Sequence, residues 1–329
     1  MNSFGKIFRV TLWGESHGGG IGVTIDGVRA GIPLSEDDFA TDLARRAGGA
    51  RGTTPRREPD RPQIVSGLYQ GHTTGAPLTV CFENTNTRSS DYASLLQHPR
   101  PSHADLTARR KFDGYNDPRG GGHFSGRLTL ALVAAGVVAK KMLPELDFKT
   151  RLVEIGGEKD PSRFAATIEE ALRAGDSVGG VVECRIDGMP AGVGEPFFDS
   201  VESVMSHLLF SIPAVKGVEF GAGFASARLH GSENNDPIVD AEGHTSTNHD
   251  GGINGGITNG NEIVVRVAIK PTPSISRPQQ TYDFAAGRVE ELTIHGRHDA
   301  CIALRAVVVV EAVAAIALAD LSLTARGRA

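Results

Sequence analysis

Three cysteines, one tryptophan and an aromatic fraction of 6% are all that a chain of 329 residues carries of these side chains. Cys81, Cys184 and Cys301 stand far apart and no CxxC pair occurs, which argues against a thiol redox motif or a zinc knuckle. An odd number of isolated thiols suits a reducing cytoplasm. No HExxH and no clustered His/Cys spacing appears, so a catalytic metal is not expected. The glycine run Gly14–Gly22 is followed by no Gly-Lys-Ser/Thr and lacks a correctly spaced GxGxxG, so it is neither a Walker loop nor a Rossmann fingerprint. No continuous apolar segment lies within Met1–Leu12, so a secretory signal is not expected. The most apolar stretch, Ile302–Leu321, is interrupted by Arg305, Glu311 and Asp320 and reads as a buried helix, not a membrane span. A net charge of −5 argues against general nucleic-acid binding. The expectation is a soluble cytoplasmic protein with neither membrane nor nucleic acid as partner.

What the chain does contain is patterned segments separated by short clusters of its 41 glycines. Helices are predicted over 35–46, capped by Ser35, over 125–143, over 162–174 with Ser162 as cap and Gly175 as stop, over 200–210 and over 306–323. Strands are predicted over 181–186 and 263–269, with weaker patterns at 77–82 and 63–68. The elements interleave without regular βαβ units. An α+β fold with sheets packed on helices is expected, and no linker or repeat divides residues 1–329 into separate domains.

Chemistry-bearing motifs run over nearly the whole length. Gly14-Glu15-Ser16-His17-Gly18 places an imidazole in a glycine turn, either as an anion-facing group or as a structural loop histidine. Arg45, Arg46, Arg51, Arg56, Arg57 and Arg61 crowd a short stretch without lysine. Such a run suits a multiply charged small anion, a solvated loop or a nucleic-acid patch. Arg100-Pro101-Ser102-His103-Ala104-Asp105 follows, and then Arg119 to Thr129, where a triple glycine precedes Ser125 and Arg127 at a helix start. That second segment is a phosphate cradle or an ordinary loop leading into a helix. Arg297-His298-Asp299 stands before the last apolar segment, where Asp299 could orient or deprotonate a partner.

Taken together, these motifs resemble chorismate synthase from about Phe4 to Asp320. Arg56–Asp60, Gly255-Gly256-Ile257, Lys270-Pro271-Thr272 and Arg297–Cys301 continue the match. The resemblance implies a β-α-β sandwich, with helices between two antiparallel sheets, assembled as a homotetramer. It implies anti 1,4-elimination of phosphate from 5-enolpyruvylshikimate 3-phosphate, giving chorismate, with reduced FMN as cofactor. NADPH, or an external flavin reductase, would keep the flavin reduced. By motif, His17 would protonate or steady the departing phosphate, His103 would stabilise the charge of the reduced flavin, and Asp299 would assist proton movement there. Ser16, Arg45, Arg51, Arg100, Arg127 and Arg297 are implied as substrate contacts, with Arg45 and Arg51 also matching nicotinamide-dinucleotide positions. The implied flavin pocket takes His123, Phe124, Ser125, Pro213, Ala214, Gly255, Lys270, Pro271, Thr272, Pro273, Ser274 and Arg297. His123-Phe124 departs from the Arg-Ser of many relatives, which leaves flavin contacts there to backbone groups or alters them. The rival readings are a flavin–nicotinamide oxidoreductase, a nucleic-acid binder using the arginine loop, and a catalytically inactive family member.

Overall fold

The computed structural model describes residues 1–56, 58–85, 94–294, 296 and 298–327; Arg57 and the predicted site residue Arg297 lie outside that set. The first half of the chain forms β1 (Ser3–Phe4), β2 (Arg9–Gly14), β3 (Gly20–Asp26), α1 (Ala40–Arg46), β4 (Gln63–Ser66), the two-residue pair β5 (Leu68–Tyr69) and β6 (His72–Thr73), β7 (Leu78–Glu83), α2 (Asp105–Lys111) and α3 (Thr129–Met142). Strands β1-β2-β3-β7-β4 make one antiparallel sheet. Its core face follows from period-two alternation: Ile21, Val23 and Ile25 lie opposite Phe82, Val80 and Leu78, all six buried.

The second half forms β8 (Asp147–Ile155), α4 (Phe164–Arg173), β9 (Gly180–Asp187), α5 (Val201–Leu209), β10 (Val215–Phe220), α6 (Gly231–Asn234), β11 (Ile253–Asn254), β12 (Ile257–Thr258), β13 (Ile263–Ile269), β14 (Gln279–Asp283), β15 (Arg288–Leu292) and α7 (Ala303–Arg326). Strands β10-β13-β9-β8 make the second antiparallel sheet, with Val182, Cys184 and Ile186 opposite Val267, Val265 and Ile263 on its buried face. Helices and antiparallel sheets thus mix as the α+β expectation requires.

Helices α3 and α7 are apolar on nearly every side, which suits helices enclosed by other layers. α3 packs on β2, β3 and β7 and against α7, and α7 packs on β8 and β9. α7 is long and apolar enough to cross a membrane by composition, yet it is buried inside the protein. Its two acidic residues are both engaged. Glu311 accepts from Arg45 and Lys140, and the Asp320 carboxylate takes the backbone N–H groups of Lys6, Ile7 and Phe8. That second contact ties the N-terminal strand to the end of the last helix.

Several sequence expectations shift in detail. Residues 14–22 are only partly loop, because β2 and β3 flank a turn confined to 15–19; alternation in β2 is masked by its glycine-rich surroundings. The 35–46 helix splits into a 3-10 turn at 36–39 and α1. The cap of the 162–174 segment is Asp160, whose side chain accepts from Ser162 N–H at 3.0 Å, not Ser162 itself. Ser125 does cap the turn leading into α3, accepting from Arg127 N–H at 3.3 Å.

Gly136 marks the closest approach of α3 and α7: a Cβ there would fall 2.3 Å from the Cβ of Ala312. Gly136→Val is expected to lower the free energy of unfolding by about 1–3 kcal/mol, through overpacking between two rigid helices. Urea unfolding at pH 7 measures this, and an unchanged midpoint would mean that the helices can separate without cost.

Candidate active site

A cavity of about 990 Å³ opens between the ends of the two sheets' connecting segments. Seven Lys/Arg side chains line it (Arg46, Arg56, Arg100, Arg127, Lys216, Lys270 and Arg305) against three carboxylates, Glu58, Asp60 and Asp299, among the described residues. That surplus of positive charge in a partly enclosed space favours anionic ligands. Leu132, Ile269, Pro213, Ala214, Ile302 and Val309 supply an apolar wall.

One side of the cavity is built on the triple glycine. Gly120, Gly121 and Gly122 have φ of 60°, 82° and 52°, the left-handed region in which side chains are strained. Space forbids a side chain at Gly120 as well, while Gly121 has ordinary contact distance to its neighbour. A Cβ on Gly120 would lie 2.5 Å from Cδ2 and 2.6 Å from Nε2 of His17, and one on Gly121 would lie 3.5 Å from Cε1 of His103. The loop therefore runs beside the two imidazoles as bare backbone. It is fixed to the His17 turn by the bond from Ser16 N–H to Gly122 O, 3.1 Å. His17 itself is buried behind Gly120, which lines the cavity. Burial, then the charges of Arg56 and Arg119, lower the pKa of His17 below its ordinary value.

His103 lines the cavity directly. Its Nδ1 is 2.6 Å from Asp105 Oδ1 and 3.0 Å from Arg100 Nη2, so Nδ1–H donates to the carboxylate and Nε2 is turned toward Gly121. Arg100 grips the same carboxylate with two nitrogens, at 2.8 and 2.7 Å, and donates to Ser274 Oγ at 3.0 Å. Burial opposes ionisation of Asp105, but the hydrogen bonds from Arg100 and His103 outweigh it and hold the carboxyl well below its usual range. Opposite, Asp299 accepts from Thr54 N–H at 2.9 Å and from Arg305 at 3.2 Å, and Arg305 donates in turn to Arg46 O. Arg127 is buried and held by Asp60 (2.9 Å), Asn84 (2.6 Å) and the carbonyl of Glu83 (3.2 Å).

The fold brings most of the predicted residues to this one cavity: His103, Asp299, Arg100, Arg127, His123, Phe124, Ser125, Pro213, Ala214, Lys270, Thr272, Pro273 and Ser274 line it. Ser16, His17 and Pro271 sit outside its lining, the first two immediately behind Gly120. Gly255 belongs to the β11–β12 hairpin and is not among the lining residues. Arg45 is held by Glu311 at 2.8 and 2.7 Å and by Asp42 at 3.0 Å, and Arg51 by Glu169 at 2.8 Å; neither lines the cavity. His123 hydrogen-bonds Gly14 O through Nδ1 at 2.7 Å and lies 3.2 Å from Asn2 through Nε2, bracing the N-terminal strand. Sequence reasoning missed Arg46, Thr54, His298 and Arg305 as cavity residues. Arg46 stood inside the arginine run, but nothing in the sequence separates it from Arg45.

The residues present fit a flavin. The cavity has the size of a small-molecule site at its upper range, with an apolar wall for a fused ring system. Lys270 is braced by its bond to Ser102 O at 2.6 Å, and Arg100 is fixed beside Ser274, both suited to an anionic cofactor.

The sequence matches the family model for chorismate synthase over residues 8–323. A chorismate synthase of Chitinophaga pinensis is 60% identical over 324 residues, covering 98% of this chain and 97% of that one. One from Korarchaeum cryptofilum is 46% identical, covering 96% of each. A crystal structure of a chorismate synthase superposes with a TM-score of 0.75 at 30% identity, covering 98% of this chain and 93% of that one.

Burial, and then the charge of Arg100, lower the pKa of His298 to about 4. An unfolded histidine accepts a proton near pH 6.5, so between pH 6.5 and 4 the unfolded chain binds a proton that the folded one refuses. Stability from this group is therefore complete above pH 6.5 and is lost as pH falls. His298→Asn is expected to remove up to ~1.4 kcal/mol per pH unit from the slope of unfolding free energy in that window. Parallel slopes for variant and wild type would contradict the burial argument.

Proposed function

The chain belongs to the chorismate synthase family, and on that premise we propose that this cavity carries out the anti 1,4-elimination of phosphate from 5-enolpyruvylshikimate 3-phosphate to give chorismate, with reduced FMN bound beside the substrate. The family makes it a carbon–oxygen lyase of the shikimate pathway. The observation that carries the mechanistic reading is that His17 and His103 lie beside neighbouring glycines of one loop, at the edge of a cavity with surplus positive charge.

The substrate has two carboxylates and a phosphate, and Arg127 and Arg100 are the side chains we assign to those anionic groups. Arg127 is already oriented by Asp60 and Asn84, so little side-chain freedom is lost on binding. Burial and the charges of Arg56 and Arg119 favour the neutral form of His17. An arriving phosphate adds negative charge that favours the imidazolium, which then hands its proton to the leaving oxygen. For the imidazole to reach that oxygen the Gly120–Gly122 backbone must yield, which a loop without side chains can do. Bound reduced FMN supplies the transient electron donation that helps phosphate depart. His103, with Nδ1–H fixed on Asp105, presents an Nε2 that becomes a donor to a negatively charged flavin ring once the imidazole is protonated. Asp299, anchored by Thr54 and Arg305, is the side chain we assign to assisting proton movement at the flavin. Pro213, Ala214, His123, Phe124, Ser125 and the Lys270–Ser274 segment are the walls we assign to the cofactor.

Assembly as a homotetramer, residence in the cytoplasm, and flavin reduction by NADPH or an external reductase belong to the same proposal. A nicotinamide site at Arg45 and Arg51 requires their pairs with Glu311 and Glu169 to open. The sheet–helix–sheet order of packing supports the β-α-β sandwich, and one core running from Phe8 to Leu321 supports a single catalytic domain.

Anaerobic phosphate release from 5-enolpyruvylshikimate 3-phosphate is the direct test. Release with reduced FMN and none with oxidised FMN is expected; equal release in both states would overturn the cofactor's role. His17→Ala and His103→Ala are each expected to lower kcat by about 10²–10⁴-fold while quenching of FMN fluorescence still reports binding. Wild-type turnover in both would remove the two imidazoles from the mechanism.

A further inference from the structure

Strand β7 ends at Glu83, and the next side chain joins two parts of the site that are far apart in sequence. The Asn84 amide nitrogen donates to the carbonyls of Glu15 and Gly18, both at 2.9 Å, and its oxygen accepts from Arg127 Nε at 2.6 Å. Glu15 and Gly18 are the two ends of the turn that carries Ser16 and His17, closed by Gly18 N–H on Glu15 O at 3.1 Å. The chemistry of the partners fixes the amide's orientation. Two carbonyls can only accept and a guanidinium N–H can only donate, so both hydrogens and one oxygen lone pair are used.

The neighbouring groups converge on the same point. Arg127 Nη2 donates to Glu83 O at 3.2 Å, and Thr85 N–H and Oγ1 donate to Glu58 Oε2 at 3.1 and 3.2 Å. Glu58 in turn pairs with Arg56, and both of these charges act on His17, together with Arg119 and Asp117. An aspartate at position 84 would offer no donor to the two carbonyls. A serine would offer one, and a glutamine would overshoot by a methylene.

We propose that Asn84 is a positioning residue that locks the His17 turn and the Arg127 guanidinium into one rigid frame. This rests on the reading of His17 as proton donor to the leaving phosphate and of Arg127 as an anion grip. Asn84 acts through those two groups and holds the spacing between them.

Three variants separate the two arms. Asn84→Asp keeps an acceptor for Arg127 but repels the turn; Asn84→Ala removes both arms; Asn84→Ser is the milder change should either fail to fold. In the assembled protein, kcat is expected to fall about tenfold to a hundredfold in N84D and N84A, the range that a misplacement of about 1 Å produces. KM is expected to rise in N84A and to change little in N84D. A purely structural role would not move the titration of His17, which NMR of ring-labelled histidines reads in the ligand-free protein, with the signal assigned by its loss in His17→Asn. Its midpoint is expected to rise in N84A as the loosened turn loses burial and moves away from Arg56 and Arg119, which outweigh the opposing pull of Asp117 and Glu58. Folded variants with wild-type kcat, KM and His17 titration would overturn the proposal. A wild-type protein without phosphate release, whose His17 titration still responds to Asn84, would overturn the reading of the reaction and support the positioning of His17.

Discussion

Two imidazoles lie against one glycine loop, and most of the site's geometry depends on that arrangement. Gly120 faces His17 so closely that a methyl group would collide with the ring, and Gly121 lies beside His103 at ordinary contact distance. All three glycines adopt backbone conformations that other residues reach only with strain. The loop also carries the chain into Ser125 and α3, so the helix start, the two histidines and the cavity edge share one rigid reference.

Around this loop the protein buries more positive charge than its own carboxylates balance. Arg46 shows the cost. It is almost wholly buried, with hydrogen bonds to Thr129 Oγ1 and to the carbonyls of Gly126 and Arg127, and its nearest carboxylate contact, to Asp60, is 3.9 Å away. Burial, with the neighbouring Arg305 and Arg127, lowers its pKa to about 9. Neutral acceptors satisfy the donors without cancelling the charge. By contrast, Arg45, one residue earlier, faces the opposite side of α1 and is neutralised by Glu311, with Lys140 sharing that carboxylate.

That pair of adjacent arginines also marks how far the sequence could be read. Periodicity exposed the sheet strands β9 and β13 and the enclosed helices α3 and α7, because long apolar runs declare themselves without tertiary information. The β2–β3 hairpin did not show, since glycines at its turn and within β3 hide the alternation. His103 and Asp105 stood two residues apart in sequence, and the structure turns that proximity into a 2.6 Å contact by placing both at the start of α2. Asn84 carried no sequence signal, because an asparagine after a strand usually means only a turn.

Residue type and order alone determined the class of fold, the histidine- and glycine-bearing motifs and the local run of arginines. Those follow from local sterics and from the chemistry of single side chains. Which arginine faces the ligand and which is spent inside the core was decided by tertiary structure. So was the burial that lowers the pKa values of His17 and His298, and the amide that joins residue 15 to residue 127. These properties depend on distances between segments remote in sequence, and desolvation and hydrogen bonding act only once the chain has closed around them.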